Sequence, residues 1–149
     1  MPMNEKEILT AALDAVTKSI KMWSWLYQHP GKVKSDYFKH KNITSEDKPI
    51  CGCYLCELAS HLDTYCYIYD IEINVVLQNQ NKYKCRYCPV TWPEGSCCST
   101  SSPFDRWARA LCEADDKQAA GDLLKLLYKA KRRLRAAINL AAEDERRKS

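Results

Sequence analysis

Leu9, Leu13, Val16, Ile20, Trp23 and Tyr27 recur at steps of three and four residues, which lines one face of an amphipathic helix. Asn4, with Glu7 three positions later, supplies an N-cap and its capping-box partner. His29-Pro30-Gly31 then breaks the period, so the pattern predicts a first helix over 3–28. From Lys32 to Pro49 the chain is rich in lysine and has no period. It reads as a loop, with Tyr37 and Phe38 placed to pin it to the body.

Farther on, Tyr65, Tyr67, Tyr69, Ile71, Ile73, Val75 and Leu77 alternate with mixed residues, the signature of a half-buried strand. Gln78 to Asn81 reads as a turn and Lys82 to Tyr87 as a returning strand. The expectation is therefore a small β-hairpin within a cysteine-rich region spanning 51–98.

The third part, 102–146, is helical by pattern. Ser102, Pro103 and Asp105 write an N-cap serine, a proline at the first helical position and an acidic first turn. Trp107, Leu111 and Cys112 are expected on the apolar face of that segment. At 100° per residue, Leu123, Leu126, Leu127, Ala130, Leu134, Ala137, Ile138 and Ala141 fall in a sector about 120° wide. That stripe matches the first helix in length, and the two should pack together. The fold class expected is mainly α with a small β-hairpin, an α+β single domain over 1–149 with the N- and C-terminal helices packed together.

Composition narrows the classes. The chain has 149 residues, a length suited to one domain. Its four glycines form no phosphate-cradling motif and no nucleophile elbow. No run approaches the roughly 18 apolar residues of a membrane span, and the first residues are charged rather than those of a secretory signal. A cytoplasmic protein is expected.

The nine cysteines change the picture most. Their odd number, without a secretory signal, argues against a disulfide scaffold. Cys53-Tyr54-Leu55-Cys56 and Cys85-Arg86-Tyr87-Cys88 are C-x-x-C pairs, and two such pairs can close a tetrahedral thiolate shell around Zn²⁺ at about 2.3 Å. The expected cofactor is structural zinc held by Cys53, Cys56, Cys85 and Cys88. Cys98, Cys51 and His61 are alternates; of the adjacent Cys97 and Cys98, which cannot easily both face one ion, Cys98 is preferred. Cys112 falls in a helical pattern and reads as core. The 28 residues between Cys56 and Cys85 would hold the hairpin.

Charge is uneven. Lys117 to Ser149 holds ten Lys or Arg against four Asp or Glu, while the rest of the chain has thirteen against fifteen. Lys125, Lys129, Arg132 and Arg135 project from the side of the last helix opposite its apolar stripe. They could meet an acidic protein surface or a phosphate backbone, and a solvated helix face is written with the same residues.

Nothing in the sequence points to catalysis. H-E-x-x-H is absent, and His61-Leu62-Asp63 has Asp where a zinc deaminase needs Glu. Neither C-x-x-C pair has the preceding proline of that signature.

The order Cys53-Tyr54-Leu55-Cys56, Cys85-Arg86-Tyr87-Cys88-Pro89, Cys98 and Pro103-Phe104-Asp105-Arg106-Trp107 resembles a group of small uncharacterised bacteriophage proteins. These carry C-x-L-C, C-x-x-C-P and P-[YF]-x-x-W motifs between two amphipathic helices. The long insertion and the doubled Cys97-Cys98 depart from that pattern. The resemblance implies a phage-type accessory protein acting inside a bacterial cell. With the missing catalytic motifs and the uneven charge, it leads to the expectation of a non-enzymatic protein that binds and inhibits a host or bacterial-defence protein. The alternative is a nucleic-acid-binding zinc protein that uses its basic C-terminal helix.

Overall fold

A computed structural model of the chain describes residues 3–49, 52–69 and 87–149. Five helices follow in order: α1 (Glu5–Gln28), α2 (Lys34–His40), α3 (Tyr54–Tyr69), α4 (Pro103–Arg109) and α5 (Glu113–Lys148). α1 starts where its cap is written, with Asn4 Oδ1 accepting from the Glu7 N–H at 2.8 Å. It ends at Gln28, before the His29-Pro30-Gly31 break.

α1 and α5 form the frame. They run antiparallel: Lys6 Nζ meets Glu145 Oε2 at 3.9 Å at one end, and the Gly31 N–H donates to Asp116 Oδ2 at 3.2 Å at the other. Leu9, Val16, Ile20 and Trp23 from α1 are buried with Leu123, Leu127, Ala130 and Leu134 from α5, as the two stripes predict; Leu26, outside the predicted stripe, is buried too, while Tyr27 at its end is 37% exposed. Each large aliphatic side chain buried there contributes about 1.5–3 kcal/mol. Gly121 lets the helices approach, since a β-carbon at that position would sit 3.1 Å from the Tyr27 ring.

α1 is buried on more than the predicted stripe. Ala12, Ala15, Ser19 and Met22 are also covered, because α2 and α3 pack on α1 as well. The lysine-rich stretch expected to be a loop contains α2, which places Tyr37 and Phe38 in the core at 4% and 3% exposure. Asp36 caps it by accepting from the Val33 N–H at 2.9 Å.

The hairpin expectation is overturned. Among the described residues there is no strand, and Tyr65, Tyr67 and Tyr69 lie on α3. Leu55, Ala59 and Leu62, spaced four and three apart, are the residues that α3 buries. Against that helical period the tyrosine alternation has no face to bury: Tyr67 is 88% exposed and Tyr69 48%. Tyr65 and Tyr69 instead meet as an i,i+4 pair, their rings tilted by 49° with centroids 4.8 Å apart. Residues 71–77, the turn at 78–81 and the return strand to 86 lie outside the described residues. The described fold is all-helical, not α+β.

α4 begins as written. Ser102 Oγ accepts from the Asp105 N–H at 3.1 Å, Pro103 takes the first turn, and the Asp105 carboxylate accepts from the Ser101 N–H at 3.1 Å. Trp107 packs edge-on against Trp23, with centroids 4.8 Å apart and planes at 81°. The helix stops at Arg109, however, and that stop corrects two expectations. Leu111 is 99% exposed rather than on an apolar face, and Cys112 is exposed at the N-cap of α5 rather than in the core. The break at Ala110 takes both residues out of the helical period that had placed them inside.

No helix among the described residues is long and apolar enough to cross a membrane.

Candidate metal centre

Gly52 turns the chain into α3 with φ +65°, a left-handed conformation that costs glycine little. Cys53 stands just before the helix and Cys56 in its first turn. The Cys56 N–H donates to Cys53 Sγ at 3.4 Å, so the C-x-L-C pair folds as one turn with both sulfurs on the same side. The side chains of Cys53 and Cys56 are hydrogen-bonded, and Cys56 bonds in turn to the thiol of Cys97. Cys88 lies close enough to act on Cys56 electrostatically. Two stretches far apart in sequence, one holding Cys53 and Cys56 and the other Cys88 and Cys97, thus bring their sulfurs near one another at the start of α3.

Their protonation follows from that crowding. The bond to Cys56 is the main cause that raises the Cys53 thiol far above its ordinary value, followed by burial; Lys34 opposes weakly. For Cys56, the bond from Cys53 favours the thiolate. The bond to Cys97, burial and the nearby Cys97 and Cys88 outweigh it and push Cys56 up to about 12. Without a cation beside them the Cys53 and Cys56 thiols stay protonated, and a protonated, half-buried thiol is a poor nucleophile. The sulfurs run as a chain of neighbours, and among the described residues no group of three or more His, Cys, Asp or Glu side chains is arranged so that it could hold a metal ion.

Cys53 and Cys56 are therefore together, with Cys88 near them. Cys85 and Cys51 lie outside the described residues. His61 is exposed on α3. Of the adjacent cysteines, Cys97 faces Cys56, while Cys98 is exposed with its Sγ 3.7 Å from that of Cys97. The sequence preference for Cys98 came from the single constraint that neighbours diverge. It could not say which neighbour turns inward.

The segment after the second pair is irregular yet buried: Cys88, Val90 and Trp92 are 5%, 0% and 5% exposed. An irregular backbone in the interior needs partners for its polar groups. Arg133 from α5 supplies one of them, donating to the Pro89 carbonyl, and also donates at 3.0 Å to the Thr91 side-chain Oγ1. Burial lowers the Arg133 pKa and Cys88 raises it, which places this guanidinium beside the thiols. Arg133 was missed in the sequence because it sits among five other cations. The available signal was angular: it lies only about 20° beyond Leu126 at the edge of the apolar sector.

Lys125, Lys129, Arg132 and Arg135 are all exposed on α5, as expected. From Leu123 to Ala142 that helix has six Lys or Arg and no Asp or Glu. Lys125 approaches Asp122 at 3.9 Å, but an exposed pair of this kind neutralises little. Tyr128, 43% exposed, lies on the same face.

Comparison with protein-family models, curated proteins and solved structures gives no match to this chain.

Proposed function

We propose that this chain is a non-enzymatic binding module whose cysteine cluster is a structural zinc site and whose basic α5 face meets its partner. The observation that supports the zinc reading is the approach of Cys53, Cys56 and Cys97, with Cys88 near Cys56, from two separate stretches of the chain. A divalent cation supplies the positive charge that would turn these crowded thiols into thiolates, and it would tie the irregular buried stretch to α3. Cys53 and Cys56 are two ligands. Cys85 and Cys88 are the other two that the C-x-x-C spacing calls for, and Cys97, the neighbour of Cys56, is the substitute for either.

The partner is a protein of the bacterial host or of its defences, inhibited by binding. Two features support that reading: the resemblance of the C-x-L-C, C-x-x-C-P and P-F-x-x-W order to phage proteins, and a helix face that carries cations without acids. An acidic surface would complement it.

One observation favours nucleic acid as a second reading. Lys125, Lys129, Arg132 and Arg135 follow one another along about 15 Å of a single exposed helix face, a span suited to consecutive phosphates.

Changing all four residues to Glu tests both readings. The expected outcome is a folded, metal-bearing protein that no longer retains the acidic protein held one-to-one by the unaltered chain in pull-downs from bacterial lysate. A partner retained equally by both forms would contradict the assigned face. If duplex DNA is the ligand instead, affinity of the unaltered chain should fall about a hundredfold between roughly 50 and 200 mM salt, as four phosphate contacts require.

A further inference from the structure

Cys97 and Cys98 occupy a tight, serine-rich turn whose backbone is held on both sides. Ser96 and Ser99 hydroxyls meet at 2.9 Å, and the Ser99 N–H donates to the Ser96 carbonyl at 3.2 Å. The Cys97 carbonyl accepts from Ser102 Oγ at 2.5 Å, and the same oxygen caps α4 through Asp105. Ser102 itself is fully buried, so this anchor is out of reach of solvent. With the backbone fixed, the Cys97 sulfur has two alternative neighbours. Inward is Cys56; outward, at 3.7 Å, is the exposed Cys98.

We propose that Cys97 and Cys98 form a reversible oxidation site at which hydrogen peroxide joins the two sulfurs and withdraws Cys97 from Cys56. Cys98 is the thiol that solvent reaches. Its thiolate attacks one peroxide oxygen, the O–O bond breaks, and Cys98 becomes a sulfenic acid with release of hydroxide. The Cys97 thiolate then attacks the Cys98 sulfur, forming the S–S bond and expelling a second hydroxide. The two thiol protons convert both hydroxides to water, so two thiols lose two electrons and one peroxide gains them.

Chain geometry makes the product reversible. Adjacent α-carbons are fixed about 3.8 Å apart, below the usual disulfide span of about 4.4–6.8 Å. A disulfide strained in this way is readily reduced by a thiol. The functional consequence rests on the zinc reading: an ion bound through Cys97 loses a ligand when the disulfide forms, and the buried stretch loses its tether. The oxidation site itself does not require the metal.

The test uses the full chain, treated with hydrogen peroxide, alkylated and digested with trypsin. The peptide Tyr87–Arg106 carries Cys88, Cys97 and Cys98. It should appear two hydrogens lighter than its reduced form, with Cys88 alkylated and Cys97 joined to Cys98. Dithiothreitol should reverse the change, and Cys98→Ser should abolish it. The proposal is overturned if Cys97 pairs with Cys56 or Cys88, if Cys98 oxidises while Cys97 stays alkylatable, or if Cys98→Ser oxidises as fast as the unaltered chain. Metal release measured on the same samples separates the two readings. A Cys97–Cys98 disulfide in protein that never held metal leaves the oxidation site standing and removes the zinc site. Metal-bearing protein whose pair stays reduced does the reverse.

Discussion

Replacing Cys56 with serine is expected to lower the melting temperature by about 10 °C or more and, on the zinc reading, to yield protein that binds no zinc. Cys56 is the sulfur that touches both Cys53 and Cys97, so its loss breaks the cluster in the middle rather than at an end. Structural zinc contributes an apparent 10–16 kcal/mol or so in small finger peptides. A larger domain with its own core loses less of its total stability when the ion goes. Even about 4 kcal/mol corresponds to roughly 8–16 °C for a chain of this size. The damage should be local: protection from hydrogen exchange should fall in 87–102 while α1 and α5 stay protected. Thermal melts and exchange of the variant beside the unaltered chain check both parts. An unchanged melting temperature would mean that the thiols hold nothing together.

Leu127→Ala is expected to cost about 2–5 kcal/mol, the range for truncating a fully buried leucine. Leu127 has no exposed surface and lies in the stripe that α5 presents to α1. The frame those helices make does not depend on an ion, so the loss should persist undiminished after chelation. Urea melts of the variant, with and without chelator, measure it. A cost that disappeared once metal was stripped would place the frame downstream of the thiol site, contrary to the packing described above.

What was legible in the sequence was whatever one local pattern decides alone. The ends of α1 followed from Asn4 and Pro30, the start of α4 from Ser102 and Pro103, and the pairing of α1 with α5 from two apolar stripes of similar length, though not the antiparallel sense of that pairing. Where two patterns overlapped, the more conspicuous one misled. Tyr65 to Tyr69 alternates, but the same residues complete the helical run begun by Leu55, Ala59 and Leu62, and burial follows the helix. Leu111 and Cys112 extend a period that the backbone abandons at Ala110. In α2 the aromatic pair Tyr37-Phe38 was recognised as an anchor, although seven residues are too few to reveal a period. The site divides in the same way. C-x-L-C spacing identifies Cys53 and Cys56 because a single helical turn brings them together. Cys97 and Arg133 reach the cluster only through tertiary packing, which spacing along the chain does not encode.

Metal analysis of the intact protein, purified without chelator or added zinc, tests the central claim most directly. One zinc ion per chain is expected, and stripping it should release the 87–102 segment to exchange while leaving the helical frame folded. A metal-free protein in which that segment is already fully protected, and which melts identically with and without zinc, would contradict it.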